Sequence, residues 1–221
     1  MMMQAAPGQP VVIVGAGGHA RVLQASLVVA GWTVLGAVER DGALPAPEGR
    51  LPVLGGEALI ATTLANTSLV IGVGAAPSRA ATGLAVRRRL YEWLAESVRE
   101  RLITVLDPAA IIRGDVEIGH AAQVLAGAII QPGTQIGTNV VANTGCRIDH
   151  DCLIEDHSFI GPGAILCGRV CVGSGSFIGA GAILLPGVKL GPEAIVAAGA
   201  IVTCDVAEGA CYGRRDGGLA Q

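Results

Sequence analysis

Between Ile112 and Val202 an aliphatic residue returns at every sixth position. The column runs Ile112, Ile118, Val124, Ile130, Ile136, Ala142, Ile148, Ile154, Ile160, Leu166, Val172, Ile178, Leu184, Leu190, Val196, Val202, and fifteen of the sixteen are Ile, Leu or Val. The residue two before each is Ala, Val, Thr, Cys or Ser at all sixteen positions, and Gly follows the aliphatic residue at 119, 137, 161, 173, 179 and 191. A period of six is neither the 3.6 of a helix nor simple alternation. It predicts a short strand plus a corner, repeated around a prism whose sides are parallel sheets. Two residues of each six point inward, a branched aliphatic at mid-side and a small one near the corner. Three sides per coil give about five coils, and at about 4.8 Å per coil the prism stands about 25 Å tall.

The first hundred residues follow another pattern. PVVIVGAGGHARVLQASLVVAGWTVLGAVE reads as strand, Gly-rich turn, helix and strand. Gly15-Ala16-Gly17-Gly18-His19-Ala20 fits G-x-G-x-x-A, and Glu39 ends the second strand about twenty residues on. Glycines in such a turn let the backbone approach a phosphate at a helix N-terminus, although a tight strand-to-helix turn without ligand gives the same motif. A further strand is expected at Ser68 to Val73, then Gly74-Ala75-Ala76-Pro77-Ser78-Arg79 and a helix to about Ser97. Segment 39–56, with Pro45, Pro47 and Pro52, reads as a loop. Three or so strands make half of a dinucleotide fold, with room for a mononucleotide or nucleotide-sugar and little for a nicotinamide half. The boundary falls near Leu102 to Pro108, which divides the chain into 1–104, a prism over 105–206 and a tail over 207–221.

Composition narrows the function. Net charge is −3 over 221 residues and aromatics are 3%, which disfavours a nucleic-acid face. The cluster Arg87-Arg88-Arg89 reads as a solvated helix face. MMMQAAPGQP has neither a basic nor an apolar leader segment. The stretch Val22 to Val38, interrupted by Gln24, Ser26, Gly31, Trp32 and Thr33, reads as a helix end plus a strand rather than a membrane span. Six cysteines without a secretory leader fit reduced thiols in the cytoplasm.

Candidate chemistry concentrates in NTGCRIDHDCLI, Asn143 to Ile154. C-x3-H-x-C suggests a metal site, but the register of six puts Cys146 and Cys152 in the small inner column. His150 lies outside that column near a corner, so thiols and imidazole diverge and cannot share one tetrahedral ion. No metal is expected. A neutral imidazole, with an ordinary pKa of about 6.5, accepts a proton near neutrality. A flanking carboxylate on its other nitrogen would fix the tautomer.

G-A-G-G-H-A, then L-P-V-L-G-G, then uninterrupted hexads containing N-T-G-x-x-I-D-H-D-C, resembles the hexapeptide-repeat sugar acyltransferases of the NeuD/PglD type. The resemblance spans nearly the whole chain. It implies an α/β fold, a Rossmann-like βαβ domain followed by a left-handed parallel β-helix; the general preference for right-handed crossovers points the other way. It implies an acetyl-CoA-dependent N-acetyltransferase acting on a nucleotide-linked amino sugar, such as a 4-amino-4,6-dideoxy sugar, in surface-glycan assembly. By this resemblance His150 is the general base and Asp151 its orienting carboxylate, with Asp149 the alternative. Gly168, Ala180 and Ala198 match coenzyme contacts, and the assembly is a homotrimer with pantetheine lying between prisms. Gly17, Gly18 and His19 match the turn that holds the nucleotide-sugar, with Gly74 on the facing loop and Glu39 after the second strand. Relatives carry a second, coenzyme-binding histidine where this chain has Phe159; His157 lies two residues earlier in another column. The acidic pair common after the second strand is here Glu39-Arg40-Asp41, and the relatives' closing G-V-P-A-K is replaced by Tyr212-Gly213-Arg214-Arg215. O-acetylation of a sialic acid, or a non-catalytic trimeric nucleotide-sugar-binding protein, are the alternatives at this point.

Overall fold

The computed structural model describes residues 8–39, 51–62, 64–75 and 82–213. Arg40, Asp41, Pro45, Pro47, residues 76–79 and the Arg214-Arg215 pair lie outside them.

The N-terminal unit is a four-stranded parallel sheet of β1 (Pro10–Val14), β2 (Thr33–Val38), β3 (Val53–Gly55) and β4 (Ser68–Ile71), in the order β3-β2-β1-β4. The strand β3 corrects the reading of 39–56 as loop throughout. It is a three-residue edge strand directly after Pro52, too short to show a period of its own. Helix α1 (Gly18–Val29) packs Ala20, Leu23 and Leu27 on one face with Val11, Ile13 and Val70. Helix α2 (Thr82–Val98) packs Tyr91 and Leu94 on the other with Val12, Val14 and Ile71. Chain order reverses between β1 and β4, so a crevice opens beyond their carboxyl ends, where open α/β sheets bind ligands.

From β5 (Val105–Leu106) to β22 (Cys211–Tyr212) the chain forms two-residue strands stacked into three parallel sheets of seven, six and five strands. This is the left-handed parallel β-helix. The register of eighteen residues between paired strands, such as Arg147 with Ile165, is three hexads per coil. The eighteen strands amount to six coils rather than five, because the pattern begins one hexad before Ile112 at Leu106 and β22 continues the stack beyond Val202. At its far end Val206 pairs with Leu190, sixteen residues away, so the last corner is two residues short.

The two inward columns form one core. Ile130, Ile148, Ile154, Ile160 and Leu166 are at most 1% exposed, as are Ala128, Cys146, Cys152 and Ala164. Corners turn through a left-handed residue three places after the aliphatic one. It is Gly at 127, 133, 145 and 163, and Asp151 adopts the same conformation at φ +57.

The outer column of the seven-stranded sheet, Val105, Val141, Phe159 and Phe177, shares a core with α1 and the inner face of the N-terminal sheet. That packing sets the nucleotide-type crevice against the β-helix.

Candidate active site

His150 sits on the corner between β12 (Arg147–Ile148) and β13 (Leu153–Ile154), half exposed. Its Nδ1 donates to Asp151 Oδ2 at 2.7 Å. The left-handed corner conformation of Asp151 turns its carboxylate back toward the preceding side chain. One coil below, Gly133 leaves room for it, since a Cβ there would collide with Asp151 Oδ1. Asp149 does not reach the ring: its Oδ1 accepts the His150 backbone N–H at 2.8 Å, and its carbonyl accepts from Thr134 Oγ1. The two aspartates therefore divide the work, Asp149 bracing the corner backbone and Asp151 fixing the tautomer. With Nδ1 protonated toward Asp151, Nε2 carries the free lone pair. One coil above, Gly168 packs against that edge; a Cβ on it would stand 2.5 Å from Nε2. The arrangement is a positioned proton acceptor at a prism corner.

The second cluster lies at the carboxyl ends of β1 and β4. Gly15 to His19, Glu39 and Gly72 to Ala75 line one pocket. Gly15 takes φ +101, and a Cβ there would clash with Val73. Gly17 caps α1 without a side-chain hydrogen bond, and the helix has no acidic residue in its own first turn, so no side chain of α1 caps its leading N–H groups at the pocket. Glu39 Oε2 accepts from Ala16 N at 2.7 Å, bracing the turn from the end of β2. His19 Nε2 meets Gln123 Oε1 at 2.8 Å. Burial, then the charge of Arg87, pushes the His19 pKa down to about 4 against an opposing pull from Gln123.

Other residues fall elsewhere. Ala180 and Ala198 are exposed, one coil apart, on the corner between the seven- and six-stranded sheets, a different corner from His150. Of the three expected coenzyme positions, Gly168 shares the corner of His150 and the two alanines do not. Phe159 stacks on Phe177 with ring centroids 5.4 Å apart and is 4% exposed in the interdomain core, so it has little surface left for a coenzyme. His157 is engaged with Asn139 Nδ2 and the Tyr91 ring of α2. Burial lowers its pKa.

Arg87 corrects the solvated reading of the arginine cluster. It is 1% exposed and donates through Nη1 to the carbonyls of Ile71 and Val73, while Arg88 and Arg89 remain exposed. Cys146 and Cys152 lie inside the prism, where burial pushes their thiols up to about 12 and about 11. Gln123 escaped the sequence reading. Its signal was available, as a polar residue in an outer column otherwise Val, Phe or Ile from 105 to 195.

The PglD N-terminal domain family matches residues 10–94, and bacterial transferase hexapeptide repeats match 151–184 and 169–204. A perosamine N-acetyltransferase from Caulobacter crescentus, solved with CoA and GDP-perosamine, is 32% identical with a TM-score of 0.78. That match covers 94% of this chain and 93% of the relative. The acetyltransferase domain of PglB from Neisseria gonorrhoeae, solved with acetyl coenzyme A, is 28% identical with a TM-score of 0.80. It covers 92% of this chain and 95% of that one. WeeI from Acinetobacter baumannii, at 23% identity and a TM-score of 0.69, shares the fold.

Proposed function

Because the chain belongs to the hexapeptide-repeat sugar acetyltransferases of the PglD/NeuD type, we propose that it moves an acetyl group from acetyl-CoA to the amine of a nucleotide-linked amino sugar. Likeness to the Caulobacter perosamine N-acetyltransferase, solved with GDP-perosamine, supports a 4-amino-4,6-dideoxy sugar as the acceptor. The observation that carries this reading is the Asp151–His150 pair with its free Nε2.

The acceptor amine attacks the thioester carbonyl, and His150 Nε2 takes the proton that the amine sheds as the N–C bond forms. The Asp151 carboxylate stabilises the resulting imidazolium through Nδ1. When the C–S bond breaks, the same proton passes to the departing sulfur, and His150 returns to its starting state. The nucleotide diphosphate is met by the N–H groups of Gly17 and Gly18 at the start of α1.

A trimer completes the site in this reading. Ala180 and Ala198, the coenzyme positions implied by the family, lie on a corner that a neighbouring prism could bring to His150. The outer column of the six-stranded sheet, with Ile111 and Ile201 exposed, Ile129, Ile165 and Ile183 partly so and exposed Arg147 among them, supplies a largely apolar face for that association. Among the described residues no helix is long and apolar enough to cross a membrane.

The test is thiol release from acetyl-CoA with purified protein and a panel of UDP- and GDP-linked 4-amino sugars, with sialic acid as the hydroxyl acceptor. We expect turnover on an amino sugar and its loss in His150→Ala. Turnover confined to sialic acid would replace the reading with O-acetylation, and none on any acceptor would end it.

A further inference from the structure

Gln123 is the feature that the catalytic reading leaves unused. It stands on β8 (Gln123–Val124) in the outer column of the seven-stranded sheet, 1% exposed among apolar neighbours. A buried amide in such a column is stabilising only if its hydrogen-bonding groups are met. Both ends are met by the other domain: Nε2 donates to the Ile71 carbonyl at 2.8 Å, and Oε1 meets His19 Nε2 at 2.8 Å.

This geometry has only one consistent proton arrangement. The Ile71 carbonyl can only accept, so the amide nitrogen must face it, and the amide oxygen must face His19. An amide oxygen can only accept, so His19 Nε2 must carry a hydrogen. The Arg87 guanidinium, buried beneath the same strand end, adds a positive charge nearby that opposes a second proton on the ring. Nδ1 is then a bare lone pair. No protein group among the described residues bonds to it, and the absent side chain of Gly74 leaves that edge clear: a Cβ at 74 would lie 3.1 Å from the His19 Cβ and 3.6 Å from Nδ1. His19 and Gly74 both line the pocket.

We propose that Gln123, supplied by the β-helix, is a positioning residue for the nucleotide-sugar pocket. It locks His19 as the Nε2–H tautomer, so that Nδ1 meets the ligand as a hydrogen-bond acceptor and takes a hydroxyl or amine hydrogen. The ligand half of this inference rests on the nucleotide-sugar reading of the pocket; the tautomer half does not. His19 thus selects a donor on the sugar or ribose and does not serve as a cationic phosphate ligand, because a diphosphate has no hydrogen to give. The diphosphate is left to the backbone N–H groups of the turn.

Histidine nitrogen NMR on the ligand-free full chain tests the lock, with His19→Gln identifying the resonances. We expect neutral Nε2–H at His19 throughout pH 8 to 5.5, and a changed tautomer ratio in Gln123→Leu, an apolar swap suited to its Val105 and Val141 neighbours. In Gln123→Glu the added carboxylate should protonate Nδ1 near pH 7. The Nδ1–H tautomer or an imidazolium in the wild type, or unchanged His19 signals in Gln123→Leu, overturns the proposal.

Kinetics test the ligand half. With whichever UDP- or GDP-linked amino sugar is turned over, Gln123→Leu should raise its KM about tenfold, the worth of one hydrogen bond. KM for acetyl-CoA should hold within about twofold. An equal rise in both, or in neither, refutes it. Expected NMR signals with no transfer to any amino sugar would count against the proposed activity and leave the lock standing.

Discussion

Gly168→Ala separates two roles for one residue. The family resemblance makes Gly168 a coenzyme contact, whereas the structure packs it on the His150 imidazole. An added Cβ would lie 2.5 Å from Nε2, 2.7 Å from Cε1 and 3.1 Å from Cδ2. Carbon–nitrogen contact normally needs about 3.5 Å, so the ring must retreat by roughly 1 Å. The backbone at 168 is not left-handed and tolerates Ala. The imidazole is the free end of a half-exposed side chain, so the retreat costs little stability. It does strain the 2.7 Å bond from Nδ1 to Asp151 and shifts the proton acceptor from its place. A misplacement of this size costs on the order of 10²-fold in rate, or about 2.7 kcal/mol of barrier. Steady-state kinetics with acetyl-CoA varied should therefore show kcat down about 100-fold with KM nearly unchanged, and a melting temperature within a few degrees of wild type. A kcat within about threefold of wild type together with a raised KM for acetyl-CoA would refute the packing argument and favour the coenzyme contact.

Asp151→Asn should lower kcat about 10- to 100-fold, the worth of a charge-assisted hydrogen bond. Asp149→Ala should instead cost about 1 kcal/mol of stability through its lost bond to His150 N, with a smaller effect on kcat; urea unfolding beside initial rates distinguishes the two. Ile183→Glu, on the isoleucine-bearing face one coil before Ile201, should shift the sedimenting species from the proposed trimer to monomer and abolish turnover with it. His19 is held at about 4, below the 6.5 of an unfolded histidine. The unfolded chain therefore binds more protons as pH falls, and the stability that the neutral ring contributes is present above about 6.5 and lost toward pH 4. Between pH 7.5 and pH 5 that loss is about 2 kcal/mol, and the same pH change in His19→Gln should lack it when both are unfolded in urea.

The β-helix was legible because its information is local and repeated. Each hexad specifies its own strand, corner and inward pair, so the register places Cys146 and Cys152 inside and His150 outside without reference to any distant residue. The G-x-G-x-x-A turn was legible for the same reason. The edge strand β3 was not, since three residues beside a proline carry no period. The choice between Asp149 and Asp151 was also closed to the sequence. Both flank His150, and only the left-handed corner at 151, with Gly133 below it, aims one carboxylate at the ring. Phe159 and Arg87 look exposed from their own segments; the docking of the N-terminal unit buries the first, and the packing of α2 on the end of β4 buries the second. Gln123 and His19 are 104 residues apart and meet only across that interface. The sequence by itself determined the repeating backbone and the side of it that each residue faces, because those follow from neighbours within six positions. The tertiary structure decided which side chains share a site, because coil stacking and domain docking join residues with no local relation.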